Sequence, residues 1–366
     1  MKLHRIAHNL LITTFLCLPI TAMAQQYTLT PLGFAGFSDV VGGPYEGLNN
    51  AGYVVGYDNV INGAFIYHAG VATSINLTLG DGVAVNNNGF AAFRSWGPDL
   101  HSYLFTPSIF SRSVGFLTDI GTLGGSGGLN NSGQTVALAM NDSATIVGSA
   151  TVPSTGNPVW HAFAFTGGHM TDLGTLPQGL DTTAWAINNL GQIVGDNLYP
   201  SGIDRAFISA NGVMTDLDPG NTVYDSRAPA INDAGQIVVI TDLAWRVVLI
   251  SRTQRKFIPY RGSTYYTAVC RAGACSNVGN LGSTLGTYGY SINQAGDVVG
   301  YTQMPDNISR PFLYHSGAIS DLNDHVPNLM GYALRIASNI NDSGQILCWA
   351  KNPSGHWETV LLTPTN

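Results

Sequence analysis

Carboxylates are the groups with which this chain could do acid–base chemistry, and they are sparse. Glu occurs only at Glu46 and Glu358. Three sets stand out among the Asp residues. Asp142, Asp233 and Asp342 sit in a recurring Asn-rich phrase, and Asp119, Asp172, Asp216 and Asp321 in a second recurring phrase, so both sets serve a repeat. Asp58, Asp99, Asp181, Asp196, Asp204, Asp242 and Asp306 remain in connections. Two of these converging on one point could act as acid and base, or hold a cation. The run Gly124-Gly125-Ser126-Gly127-Gly128 spells the nucleophile elbow. That motif needs a strand before it and a helix after it, whereas this run lies in a glycine-rich connection. There is no His-Glu-x-x-His zinc motif. The sequence therefore assigns no catalytic residue, no metal site and no cofactor.

Aromatic residues offer a second chemistry. Trp96, His101, Trp160, Tyr199, Trp245, Tyr265, Tyr266 and Trp357 lie in or beside variable connections. On a weakly charged surface they suit stacking against sugar rings or against the apolar groups of a protein. For any one of them the competing reading is packing under its own loop. His101, His161, Arg205, Arg246 and Arg310 form a positional series. A ring of them could hold an anion, but a position repeated in every unit is expected to serve that unit.

The elements that position these residues come from a repeat. The phrase Asn-(Asn/Asp/Gln)-x-Gly, between two apolar runs, starts at Asn49, Asn86, Asn141, Asn188, Asn232, Asn293 and Asn341, with Ala144 in place of Gly in the third copy. The steps between copies are 37, 55, 47, 44, 61 and 48 residues. A further copy at Asn130 lies only 11 residues before Asn141 and is read as an insertion. Asx side chains bond to their own turn backbone and Gly supplies the left-handed position, so each phrase is a hairpin turn. The short β-branched run after it, as in Gln192-Ile193-Val194-Gly195, is a strand. A second phrase follows, as in His161-Ala162-Phe163 through Gly167-Gly168 to Met170-Thr171-Asp172-Leu173, or Arg205-Ala206-Phe207 through Asn211-Gly212 to Met214-Thr215-Asp216-Leu217. Each unit thus offers four strands.

His161-Ala162-Phe163, Thr171 to Leu176 and Thr118 to Gly125 resemble the bacterial extracellular repeats called the HAF family. The resemblance covers nearly all of the chain after residue 24. It lapses at Arg246-Val247-Val248-Leu249 and across 260–289. It implies an exported repeat protein with propeller-like blades, and no known reaction.

Units of this size match propeller blades. The last unit has strands near residues 333–339, 345–350 and 358–363 and lacks a fourth, while Tyr27-Thr28-Leu29-Thr30-Pro31-Leu32-Gly33 matches a fourth strand with no first three before it. A ring closed by that strand leaves no open edge. The expectation is an all-β propeller of about seven four-stranded blades, with six or eight as alternatives. Its Asn-x-x-Gly and Asn-Gly turns lie on one uniform face. The connections of differing length lie on the other, among them 95–101, 151–160, 197–204, 260–289 and 303–309, and binding is expected there.

Lys2 and Arg5, an apolar run over residues 10–20 and Ala22-Met23-Ala24 read as a signal peptide cleaved after Ala24. Residues 25–366 are then one propeller domain in a secreted or periplasmic protein, expected to be monomeric. Removing Lys2 and Arg5 leaves 13 cations against 22 anions, a net charge of −9. That disfavours nucleic acid as a partner, and no later apolar run is long enough for membrane insertion. The expected partner is a glycan or a protein. Cys270 and Cys275 flank Arg-Ala-Gly-Ala, and an oxidising compartment would join them into a disulfide pinning the longest insertion. Cys348 is expected to be a buried apolar filler.

Overall fold

The computed structural model describes residues 25–33, 47–58, 62–96, 100–108, 111–125, 133–218, 224–242, 245–249, 255–259 and 265–365. Residues 1–24, expected from the sequence to be a signal peptide, and Glu46, Asp99 and Ser126 lie outside them. Seven four-stranded antiparallel sheets form a seven-bladed β-propeller. Blade 1 holds Gly47–Leu48, Val54–Asp58, Gly63–His68 and Val71–Thr78. Blade 2 holds Gly80–Val85, Ala91–Ser95, Ser102–Ser108 and Ser111–Asp119. Blade 3 holds Thr135–Met140, Ile146–Val152, Val159–Thr166 and His169–Gly174. Blade 4 holds Asp181–Ile187, Ile193–Leu198, Asp204–Ala210 and Val213–Asp216. Blade 5 holds Ser226–Ile231, Ile237–Asp242, Tyr265–Arg271 and Ala274–Asn277. Blade 6 holds Thr287–Ile292, Val298–Gln303, Ser309–His315 and Ala318–Asp321. Blade 7 holds Ala333–Ile340, Ile346–Lys351 and Trp357–Thr365, and takes its fourth strand, Gln26–Pro31, from the N-terminal side. Among the described residues the one helical element is the short 3-10 turn Leu322–His325, and no helix is long and apolar enough to cross a membrane.

The closing strand pairs antiparallel to Trp357–Thr365, from Gln26 opposite Thr365 to Pro31 opposite Val360. It buries Tyr27 and Leu29 in the last blade. At its start the His325 ring donates through Nδ1 to the Gln25 carbonyl at 2.6 Å, and its Nε2 lies 2.8 Å from the Ser320 hydroxyl.

The repeated phrases explain the packing. Neighbouring residues of a strand face opposite sides, so each pair Ile-Val or Ala-Phe serves two interfaces at once. Phe163 packs toward blade 2 and Ala162 toward blade 4. Phe207 and Ile193 pack toward blade 3, while Ala206 and Val194 pack toward blade 5. Phe65, Phe163, Phe207 and Phe312 are all fully buried. The core is thus a set of separate slabs between adjacent blades, including one between blades 7 and 1 that holds Leu347, Leu361, Val54 and Phe65.

Blade 5 departs from the sequence reading. Arg246-Val247-Val248-Leu249 is not its third strand. It belongs to Trp245–Leu249, which pairs with Arg255–Pro259 as a separate two-stranded hairpin. The blade resumes at Tyr265–Arg271, in register with Ile237–Asp242. The excess length of the 61-residue step is looped out between its second and third strands. Cys270 and Cys275 do form a disulfide. They are opposed partners on the third and fourth strands of the blade, so the bond clamps a blade hairpin rather than the insertion. Cys348 is buried in a second strand, packed in the core of blade 7.

Candidate functional site

The first strand of every blade lines a central channel, and the channel holds a cavity of about 700 Å³. At the uniform face this channel is bounded by the Asn turns. In each turn the first Asn accepts from its own backbone through Oδ1, as Asn188 does from the amides of Leu190 and Gln192 at 3.1 and 2.9 Å. Its Nδ2 reaches across to the next blade. Asn49 donates to the Asn86 carbonyl, Asn86 to Asn141, Asn141 to Asn188, Asn188 to Asn232, Asn232 to Asn293, Asn293 to Asn341 and Asn341 back to Asn49, at 2.9 to 3.5 Å. The residue after each Asn makes a second ring. Backbone amides of Asn50, Asn87, Asp142, Asn189, Asp233, Gln294 and Asp342 each donate to the next blade's side-chain oxygen at 2.7 to 3.0 Å. The repeated carboxylates Asp142, Asp233 and Asp342 are therefore committed to ring closure.

Midway along the channel, β-bulges set what faces inward. The first strands of blades 2 to 7 each carry a register break against the second strand. A bulge re-aims a side chain. Here Val83, Leu138, Trp185, Pro229, Tyr290 and Ser338 line the cavity at those breaks.

At the variable face, blades 4 to 6 bring together a cluster of acids, one cation and aromatic rings. Arg227 lies in the first strand of blade 5. Its guanidinium meets Asp204 at 2.7 Å and Asp196 at 3.7 Å. The Trp185 indole donates to the same Asp196 oxygen, Oδ2, at 2.6 Å. Asp225 accepts from the Asp204 amide at 2.9 Å, and its carbonyl accepts from the Asp242 amide at 2.9 Å. Tyr265 stands opposite Asp242 in register and donates its hydroxyl to that carboxylate. The Tyr265 ring lies 4.8 Å from that of Tyr288, which stacks on Tyr301 at 4.7 Å.

Burial governs the protonation of this cluster. Desolvation, reinforced by Asp204 and Asp225, raises the Asp196 carboxyl to about 7 despite Arg227 and the Trp185 hydrogen bond. Burial also lifts Asp225. For Arg227 burial opposes the charge, but Asp196, Asp204 and Asp225 outweigh it and the guanidinium is held charged. Burial pushes Tyr265 up to about 12, with Asp242 adding to it, and moves Tyr288 and Tyr301 upward as well. Near neutral pH the rings are neutral phenols beside carboxylates.

Of the aromatic and cationic residues singled out in the sequence, Tyr265 joins this cluster, whereas those that follow are dispersed. Trp96 packs on Tyr57 at 4.5 Å and donates to Asp81 at 3.2 Å, where Asp81 is also clasped by Arg94 at 2.7 Å. Trp160 gives its backbone amide to Asp181 at 2.8 Å. Tyr199 lies under Arg205, 5.3 Å from the guanidinium carbon, and Trp357 lies under the Lys351 ammonium at 4.2 Å. Trp245 begins the inserted hairpin, and its side chain lies outside the described residues. None of these lines the cavity. The positional series pairs within its own blades: His101 with Asp119 at 2.6 Å, His161 with Asp172 at 2.9 Å, Arg205 with Asp216 at 2.5 Å and Arg310 with Asp321 at 3.3 Å. Arg246 stands apart in the inserted hairpin.

Of the connection carboxylates, Asp196, Asp204 and Asp242 converge as the acid–base reading required. Asp181 and Asp306 instead bond to nearby backbone amides. Trp185, Asp225, Arg227 and Tyr288 were passed over in the sequence. Their signal is positional: each lies on, or just before, the inner strand of its blade.

No protein-family model and no curated protein matches the sequence. Among solved structures, the chain is similar to a puromycin-hydrolysing peptidase from Mycobacterium tuberculosis, at 9% identity over 86% of this chain and 50% of that one, with a TM-score of 0.51. It is also similar to an oligogalacturonate lyase from Vibrio parahaemolyticus, at 9% identity over 93% of this chain and 91% of that one, with a TM-score of 0.50. At that identity the likeness concerns the propeller fold alone.

Proposed function

We propose that this protein is an exported binding propeller that takes a glycan, without turning it over, at the variable-face mouth of its channel. The observation behind this reading is the mouth cluster itself. Trp185 and the tyrosines offer flat faces for sugar rings, and the carboxylates around Arg227 are charge-assisted acceptors for hydroxyl groups. Both stand over a cavity of about 700 Å³. The signal-peptide pattern and the likeness to HAF repeats support export. The loop aromatics Trp96, Trp160, Tyr199 and Trp357 are then outer contacts of a longer ligand.

The test is a glycan array followed by calorimetry on the full chain. Tyr288→Ala and Asp204→Asn should each weaken binding at least tenfold, while Trp160→Ala and Trp357→Ala change it less than threefold. Thermal melts verify that each variant is folded. Glycan binding that survives both mouth variants would remove the site from this mouth.

One observation favours a second reading, a polysaccharide lyase or hydrolase. Asp196, held near 7, lies beside Asp204, which is ion-paired to Arg227, and a carboxyl with a raised pKa beside a second carboxyl is what such chemistry uses. Under that reading Asp196→Asn abolishes turnover of a bound polysaccharide and leaves affinity in place. Under the binding reading no product forms with either protein.

A further inference from the structure

The charged lining of the cavity is predominantly acidic. Among the described residues lining it, Asp142, Asp225, Asp233, Asp242 and Asp342 are acidic and Arg227 alone is basic. Arg227 is already engaged by Asp204 and Asp196, which stand behind it. Such a set on an open surface would be a solvated face and nothing more. Here it lies against an aromatic wall in a recessed channel, where low-dielectric walls focus the field of like charges and concentrate cations. The wall is of the matching kind. Tyr265 packs tilted against Tyr288, which stacks on Tyr301, next to Asp242 and Asp225, and electron-rich ring faces left uncovered by this packing attract an ammonium group.

From this arrangement we infer that the ligand carries a protonated amine, as a glucosamine-type amino sugar does, with the sugar ring on the Tyr265–Tyr288–Tyr301 wall and the ammonium toward Asp225 and Asp242. This rests on the glycan reading of the same mouth and narrows its ligand class. Buried tyrosines with raised pKa values stay neutral beside the acids, so the wall remains a π-face at the pH where a sugar amine is charged. Uronate polymers, which carry a carboxylate on each ring, meet a predominantly acidic lining.

Calorimetry on the full chain at pH 7 with three oligomers of equal length separates the possibilities: glucosamine, N-acetylglucosamine and galacturonate. The glucosamine oligomer should bind at least tenfold tighter than its acetylated counterpart. That advantage should shrink several-fold between about 50 and 300 mM salt, as screening requires. The galacturonate oligomer should not bind. Asp225→Asn should reduce the glucosamine preference over N-acetylglucosamine to threefold or less. Asp242→Asn serves as a second variant with the same expectation. Equal binding of the two hexosamine oligomers would overturn the amine and leave the glycan site standing. A glucosamine preference that persists in both Asp variants would overturn the placement. Tighter binding of galacturonate than of glucosamine would overturn the charge argument outright.

Discussion

Asp196 is a buried carboxyl that accepts from the Trp185 indole, with Arg227 just beyond bonding distance. Its folded-state value near 7 lies above the roughly 3.9 of an exposed Asp. Between those values the folded chain holds a proton that the unfolded chain has lost. Stability therefore falls as pH rises from about 4 to 7, by up to roughly 4 kcal/mol for an uncoupled group. Asp196→Asn keeps an acceptor for Trp185 and has no proton to lose. Melting temperatures of the two proteins should thus diverge in favour of the variant as pH rises from 4.5 to 7.5. A constant difference across that range would show that Asp196 is not the titrating group. At this scale the sequence offered residue types only. Asp196, Asp204 and Asp242 stood in the same class as Asp181 and Asp306. Nothing local separates an acid that joins the cluster around Arg227 and Tyr265 from one that bonds to a neighbouring amide.

At the scale of the element, the turn phrase and the bulge account for two glycines with different duties. Gly191 holds the left-handed corner of its turn at φ +75°, and a Cβ there would meet nothing within 4 Å. Gly195, four residues on, lies against the bulge in the first strand of blade 4. A Cβ on it would come within 1.9 Å of the Thr183 carbonyl oxygen and 2.8 Å of the Phe207 ring. The equivalent Gly148 and Gly300 face the carbonyls of Val136 and Tyr288 at the same 1.9 Å. Gly191→Ala should cost about 1–2 kcal/mol, the penalty of a left-handed alanine. Gly195→Ala should cost more than about 3 kcal/mol, because backbone must move in a packed blade. Denaturant unfolding of the two variants checks the order, and equal losses would show that the bulge does not dictate that glycine. The Ile-Val-Gly run was legible as a strand from its composition. Why it ends in Gly was not, because the reason is a carbonyl on another strand.

The whole molecule depends on closure. Deleting residues 25–31 would leave blade 7 with three strands and an unpaired edge, and would remove the buried Tyr27 and Leu29. With about 1.5–3 kcal/mol for each large apolar side chain, the loss is on the order of 4 kcal/mol before the ladder hydrogen bonds are counted. The exposed edge also invites pairing between chains. The truncated protein should lose its single cooperative melt and elute as oligomers in size-exclusion chromatography. A monomer with an unchanged transition would contradict closure by that strand. The Asn rings act at the same scale, since Asn341 bonds to Asn49 across 292 positions of sequence.

Blade number, the closing strand, the two faces and the Cys270–Cys275 pair followed from the sequence. They depend on periodicity, turn chemistry and short spacing, which act between neighbours in the chain. The tertiary structure alone decided that the repeated Asn residues link blade to blade and that the extra length of blade 5 is looped out as a hairpin. It also decided that Trp185, Asp196, Asp204, Arg227, Asp242 and Tyr288 share one mouth. Those are contacts between blades, and a repeat pattern is silent about them because every unit carries the same local instructions. Only the angle at which the seven units close determines which of their side chains meet at the axis.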